Sequence, residues 1–236
     1  MHIQPISNVS SRFVQTGKTN APSLMDQLHS QASSVGSMQT KSAGETLFAE
    51  GDAAEKIYEV VRGTVRLIKL LPDGRRQIIG FVSAGELLGL TAGSRFDCTA
   101  EAVDDVTLRR YERATFDRMI DSVPGFARHV LAITSRNLGV AQDQMVLLGR
   151  KSAAEKVASF LLLIADNSGD ESDTINIPMS RTDIADFLGV TIETVCRALS
   201  RLKADGLIAL PNSARIELID RDGLEELAAG EIEHDC

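Results

Sequence analysis

The chain has 236 residues, 43% of them hydrophobic, enough for two modest domains with a packed core. Thirty-three acidic against 25 basic residues leave a formal charge of −8, the wrong sign for a protein that coats nucleic acid indiscriminately, so any such contact must come from a local patch. Three scattered cysteines, Cys98, Cys196 and Cys236, make neither a disulfide framework nor a metal-ligand spacing. No run approaches the roughly 18 apolar residues of a membrane span, and the first residues lack the charged-then-apolar order of a secretory signal. A cytoplasmic chain with no membrane partner is expected.

Residues 1–40 are rich in Ser, Gln, Thr and Asn and poor in apolar residues. They read as a flexible arm with at most a short helix around Leu24 to His29, and His2 and His29 as solvated bystanders. From 41 to 121 short β-rich runs are punctuated by Gly44, Gly51, Gly63, Gly74, Gly80 and Gly85. Ile57–Val61 and Thr64–Lys69 lie either side of Arg62-Gly63, and Pro72-Asp73-Gly74 turns the chain before Gln77–Val82. Thr99–Val103 and Val106–Leu108 follow, and so many short strands predict a small barrel or jelly roll. Ala114–Asp121 fits a short helix ended before Pro124.

The segment 122–150 predicts one long helix with Pro124 in its first turn. Leu131, Leu138, Met145 and Leu148 form one apolar stripe, and Val130, Ile133, Val140 and Leu147 another. Two stripes need two covering surfaces: one is the roll, the other a second copy of the helix. The alternative is a single wide stripe in a monomer core. His129 reads as a surface or interface residue.

In 151–236, Ser152 caps a helix from Ala153 to about Ala165, an acidic loop follows, and Thr174–Ile177 is a short β run. Ser180 with Asp183 is a capping box, and Ile184, Phe187 and Leu188 give the helix after it one apolar face. Gly189-Val190 turns, Thr191 caps, and Val195, Leu199 and Leu202 face the core of a second helix. Its opposite face carries Glu193, Cys196, Arg197 and Ser200, with Ile192 on the first turn. Ala204-Asp205-Gly206 stops it. Leu207–Leu210, the turn Pro211–Ser213 and Arg215–Ile219 then form a hairpin, and Asp222–Ala229 fits a last helix. Helix, turn, helix and hairpin make a winged helix. Its displayed face suits a DNA major groove: Arg can bond guanine O6 and N7 together, Glu can accept from cytosine N4, and an aliphatic group can touch a thymine methyl. Equally, Glu193 and Arg197 at i,i+4 could be a surface ion pair stabilising any exposed helix. Arg181, Arg197, Arg201 and Lys203 are balanced by Asp183, Asp186 and Glu193, so the patch is weakly basic and two half-sites must act together.

The stretch ETVCRALSRLKADGLI resembles the recognition-helix signature of the Crp/Fnr family of bacterial transcription regulators. The spacing Gly44…Phe48…Gly51-Asp52…Ile57-Tyr58…Gly63 resembles the cyclic-nucleotide-binding β-roll of the same family. The resemblance implies an α+β chain: a cyclic-nucleotide-binding-like β-roll, a long dimerisation helix and a C-terminal winged helix-turn-helix. It implies a homodimer on double-stranded DNA with RNA polymerase as partner. Glu193 and Arg197 match the pair that reads the G·C core of the half-site. Ile192 stands where the cyclic-AMP receptor branch has Arg, which favours the Fnr/FixK branch and half-sites resembling TTGAT. Arg181, Ser200 and Arg201 complete the candidate DNA-binding set. By resemblance to FixK proteins the targets would be low-oxygen respiration and nitrogen-fixation genes.

No cofactor is expected. The arm holds no cysteine, and three in the chain cannot supply the four thiolates of an Fnr-type iron–sulfur cluster. Gly85-Glu86 matches the ribose half of a cyclic-nucleotide site, but Gly93–Ala100 has no Arg-Ser-Ala for the phosphate and places Asp97 there. Cys196 occupies a Fnr-family serine position, beside a guanidinium in the first half of a helix, where thiols oxidise readily. Oxidation there is expected to switch off DNA binding; the alternative is a small residue tolerated beside the backbone. No Ser/His/Asp set, metal cluster or phosphate-binding loop suggests an enzyme. The rival functions are a Crp-like regulator whose roll binds an unidentified small effector, and a helix-turn-helix that binds protein.

Overall fold

A computed structural model describes residues 36–168, 173–212 and 214–230. Contacts divide the chain into two compact units, which meet between Asn137 and Leu138. The expected helix around Leu24 to His29, both N-terminal histidines and Cys236 lie outside the described residues.

The first unit is a roll of two antiparallel sheets followed by helix. Its strands are β1 (Ser37–Lys41), β2 (Thr46–Phe48), β3 (Lys56–Arg62), β4 (Val65–Leu70), β5 (Arg76–Val82), β6 (Leu87–Leu88), β7 (Thr99–Ala102) and β8 (Val106–Glu112). One sheet has the order β1-β8-β3-β6 and the other β2-β7-β4-β5. Consecutive β3 and β4 therefore belong to different sheets, and the turn between them is tight. At Gly63 (φ +88°) a Cβ would sit 2.6 Å from the Asp105 carbonyl oxygen, so only glycine fits.

Alternation along the strands builds two cores. Tyr58, Val60, Val65, Val82, Leu88, Ala100, Val106 and Leu108 fill the space between the sheets with Phe48 and Phe96, whose rings stack at 3.8 Å. Ile57 and Tyr111 point to the other face of the first sheet. There they pack with Phe116 and Met119 of α1 (Arg113–Ser122) and with Phe126 and Ile133 of α2 (Phe126–Arg150). Truncating a wholly buried residue such as Leu108 to Ala costs ~2–5 kcal/mol. Glu59 is buried on β3 and is satisfied by the Arg109 guanidinium (3.0 Å) and the Tyr111 hydroxyl (2.9 Å).

Two boundaries correct the sequence reading. The arm expected to reach residue 40 ends earlier, because Ser37–Lys41 is edge strand β1, paired with β8 from Ser37↔Arg110 to Lys41↔Val106. Pro124 does not open the long helix: Gly125 at φ +86° intervenes, and α2 begins at Phe126. The two stripes of α2 separate only in part, since Val130, Val140 and Leu148 are all half-buried. Ile133 and Leu147 are buried, whereas Leu131, Leu138 and Met145 are 65%, 60% and 65% exposed.

The second unit begins within α2. Its elements are α3 (Ala153–Ser168), β9 (Thr174–Asn176), α4 (Arg181–Leu188), α5 (Ile192–Ala204), β10 (Ile208–Ala209), β11 (Arg215–Leu218) and α6 (Arg221–Ala229). Ser152 caps α3 through a reciprocal pair with Glu155, whose carboxylate accepts from the Ser152 hydroxyl (2.9 Å) and amide (3.2 Å). The buried side chains of α3, among them Phe160 and Leu161, pack with those of α4 to α6, and the Phe160 and Phe187 rings lie 5.8 Å apart. Arg221 of α6 pairs with Asp166 of α3. The wing is a three-stranded sheet in the order β10-β11-β9.

Candidate nucleic-acid interface

Local side-chain chemistry sets both ends of the helix pair. The Ser180 hydroxyl accepts from the Asp183 amide (3.1 Å), and the Asp183 carboxylate accepts from the Ser180 amide (3.1 Å) and hydroxyl (2.7 Å), which starts α4. Gly189 ends it in the left-handed conformation (φ 63°, ψ 40°). Thr191 caps α5 by accepting from the Thr194 amide at 3.2 Å. Ile184, Ala185, Phe187 and Leu188 of α4 and Val195, Ala198, Leu199 and Leu202 of α5 are buried. Burial of those residues turns the other face of α5 outward.

That outward face carries the predicted set. Ile192, Glu193, Cys196, Arg197, Ser200 and Arg201 are all exposed, Ile192 by 41%. At 1.5 Å per residue they span ~13 Å, the width of a major groove. Among the described residues no ion pair within 4 Å joins Glu193 to Arg197, so the surface-pair alternative lacks its contact. The Glu193 carboxyl is held below its ordinary value by its own backbone amide first, then by the Thr191 hydroxyl, with Arg197 contributing least. It therefore stands ionised as an acceptor. The Ser200 hydroxyl donates to the Cys196 carbonyl (2.9 Å), and Arg201 lies 3.8 Å from Asp205 at the helix end.

Arg181 is placed differently from the others. It is the first residue of α4 and is half-buried, with one guanidinium nitrogen shielded from solvent. Burial lowers its pKa, and the nearby Cys196 sulfur opposes that shift. Arg181 of α4 and Cys196 of α5 are thus electrostatically coupled, a relation that sequence spacing does not reveal. Arg215, outside the candidate set read from sequence, is exposed on β11 of the wing.

In the roll, the charged side chains between Gly85 and Ala100 bond within the protein. Glu86 accepts from the Ser83 amide (2.7 Å), and its carboxyl is raised by burial against the pull of Ser83 and Arg136. Asp97 accepts from the Thr91 hydroxyl (2.6 Å), and Arg95, the one cation between Gly85 and Ala100, donates to the Gly51 carbonyl (2.5 Å). Within Gly93–Ala100, Arg95 and Asp97 are thus both engaged inside the roll. Among the described residues no His, Cys, Asp and Glu group could hold a metal ion, and no helix is long and apolar enough to cross a membrane.

Two family profiles match this chain: a Crp-like helix-turn-helix domain over residues 155–227 and a cyclic nucleotide-binding domain over residues 38–123. The chain is 46% identical over 193 residues to the nitrogen fixation regulation protein FixK of Bradyrhizobium diazoefficiens, covering 80% of each protein. It is 43% identical to the transcriptional activatory protein AadR of Rhodopseudomonas palustris, covering 78% of each. Among solved structures it resembles FixK2 from Bradyrhizobium japonicum, with a TM-score of 0.77 and 39% identity over 82% of this chain and 97% of that one.

Proposed function

This chain belongs to the Crp/Fnr family as a DNA-binding transcription regulator of the FixK type rather than an enzyme, and from that premise we propose how it selects its targets. It binds as a homodimer to an inverted repeat resembling TTGAT…ATCAA. Arg197 reads the guanine and Glu193 the cytosine of the G·C core, and Ile192 touches a thymine methyl. Cys196 and Ser200 line the same groove, and Arg181 and Arg201 act on the phosphates. The observation that carries this reading is the single exposed face of α5, on which Glu193 and Arg197 stand one turn apart without neutralising each other. The dimer forms through Leu131, Leu138 and Met145, seven residues apart on the exposed stripe of α2. Thr134 and Ala141 are small enough between them to let two helices approach closely. The protein acts in the cytoplasm with RNA polymerase as partner. Like the nitrogen fixation regulators it resembles, it activates low-oxygen respiration or nitrogen-fixation genes.

The test is fluorescence anisotropy of reduced, ligand-free protein on a TTGAT inverted repeat with half-site centres about one helical turn apart, against a duplex with the G·C core changed. Tight, sequence-dependent binding is expected; equal binding to both duplexes refutes the reading.

Oxidation of Cys196 switches the complex off. Two equivalents of peroxide, each reduced to water, convert its thiol to a sulfinic acid whose anion faces the phosphates. Cys196→Ser should bind as well as the parent and resist peroxide, and equal peroxide sensitivity in the two proteins excludes the switch.

A second reading rests on an open hollow of about 750 Å³ in the roll, lined by Glu55, Ser94, Arg95, Glu112, Arg113 and Asp117. There the chain would be gated by a small polar effector, which a rise in melting temperature with a metabolite panel would reveal.

A further inference from the structure

The corner between α2 and α3 is short. Helix α2 ends at Arg150 and α3 starts at Ala153, so only Lys151 and Ser152 connect them. Ser152 is engaged in capping α3. Lysine is a residue normally left in water, yet Lys151 is half-buried, and its Nζ donates to the Ser159 hydroxyl at 2.7 Å. Ser159 stands in the second turn of α3, so the lysine side chain lies along that helix.

The donors and acceptors of this bond are fixed by valence. An ammonium has protons and no lone pair, and a carbonyl has lone pairs and no proton. The Ser159 hydroxyl gives its one proton to the Glu155 carbonyl (2.7 Å), which leaves its lone pairs for Lys151. Burial lowers the pKa of the Lys151 amine, opposed by Glu155 and then by Asp143. Asp143 belongs to α2 and Glu155 to α3, so carboxylates of both helices favour the charged amine at the corner.

That corner lies between the proposed dimer seam and the reading face. From Leu138 onward, α2 belongs to the same compact unit as α3 to α6. This stretch carries Leu138 and Met145 of the exposed stripe. Its end reaches the helix pair, where the Leu148 Cδ2 lies 3.5 Å from the place a Cβ on Gly189 would take. In a two-fold dimer through the stripe, the angle between α2 and α3 therefore sets the separation of the two α5 helices.

We propose that Lys151 is a positioning residue for half-site spacing: its bond to Ser159 fixes the angle at which the winged helix leaves the dimer helix, so that one separation of half-sites is preferred. A corner free to pivot would let the two α5 helices follow a longer or shorter repeat at less cost. The inference rests on the proposed homodimer and inverted repeat.

The full-length protein is assayed on the TTGAT repeat, on repeats lengthened or shortened by one base pair, and on the G·C-core variant. Lys151→Met removes the donor and keeps an apolar stem. Ser159→Ala removes the acceptor at a helical position where alanine is favoured, and Ser159→Thr keeps the hydroxyl. We expect Lys151→Met and Ser159→Ala each to lose about fivefold or more of the parent's discrimination against altered spacing, and the double variant to lose no more than either. Ser159→Thr should retain it, and discrimination of the G·C core should stay parental throughout. In DNA-free protein carrying Cys98→Ser and Cys236→Ser, spin labels on Cys196 of each protomer report the separation of the α5 helices, and Lys151→Met should broaden that distance. Melting curves identify any variant that fails to fold, and Ser159→Ala then decides on its own. Parental spacing discrimination in both Lys151→Met and Ser159→Ala overturns the positioning role and leaves the reader in place. A parent protein that treats the repeat and its core variant alike overturns the reader, and an unbroadened label distance then overturns the corner as well. Labels that show no distance between protomers overturn the dimer and this inference together.

Discussion

Arg197 is exposed on the reading face of α5 with no carboxylate within ion-pairing distance, a state it shares with Arg150 and Arg215 among the described arginines of its unit. Arg181 is half-buried, Arg201 faces Asp205, and Arg221 is tied to Asp166 and Glu225. An exposed guanidinium kept apart from carboxylates is available for a bidentate contact with guanine. Arg197→Ala is therefore expected to cost ~1–3 kcal/mol on the parent site and little on a duplex that lacks that guanine. Equal loss on both duplexes would reassign Arg197 to a phosphate. The residues of this face were readable from sequence because helical periodicity separates Val195, Leu199 and Leu202 from them. The partial burial of Arg181 was not, since it depends on how α4 packs in its unit.

Among the elements, those with side-chain caps were the most legible. Ser180 with Asp183, Gly189, and Thr191 fix helix ends through bonds spanning three or four residues, and the structure reproduces each. Strands β2 and β6 went unread because their partners are distant: Thr46 pairs with Glu101, and Leu88 with Tyr58. Strand β1 went unread because Ser-Met-Gln-Thr-Lys is polar, as a half-exposed edge strand can be. The exposed stripe of α2 was readable, and it yields an element-scale test. Leu138→Asp places a charge at the centre of that stripe, on a residue 60% exposed in the single chain. Sedimentation velocity should show a monomer whose affinity for the inverted repeat falls ~100-fold or more. A dimer of parental stability would remove α2 as the interface.

At the scale of the whole molecule, stability should depend on pH through His129. Burial lowers the pKa of this imidazole, Arg136 lowers it further, and Glu59 opposes them. The folded chain therefore takes up the proton at lower pH than the unfolded one. The His129 contribution is complete above an unfolded value of about 6.5 and is lost as the pH falls through the lower folded value. Thermal midpoints measured from pH 7.5 to 5 should fall less steeply for His129→Gln than for the parent; parallel curves would show that His129 titrates as it does in the unfolded chain. The formal charge of −8 acts at the same scale, since it opposes association with random duplex. Specific binding then depends on two reading heads engaging together, and its logarithm should fall by ~0.9 per phosphate contacted for each decade of salt.

The wing offers a clock. Strand β11 lies in the middle of its sheet, with Ile208 opposite Leu218 on one side and Ile175 opposite Ile216 on the other. The Ile177 amide donates to Ala214 (2.8 Å) and the Leu218 amide to Asp173 (2.7 Å), which fasten the wing to a segment some forty residues upstream. In deuterium exchange the β11 amides should therefore be among the slowest in the unit, opening only when the unit unfolds as a whole. A wing that exchanged early would be a detachable hairpin; one that exchanges late is a rigid flange, delivered to the duplex together with α5.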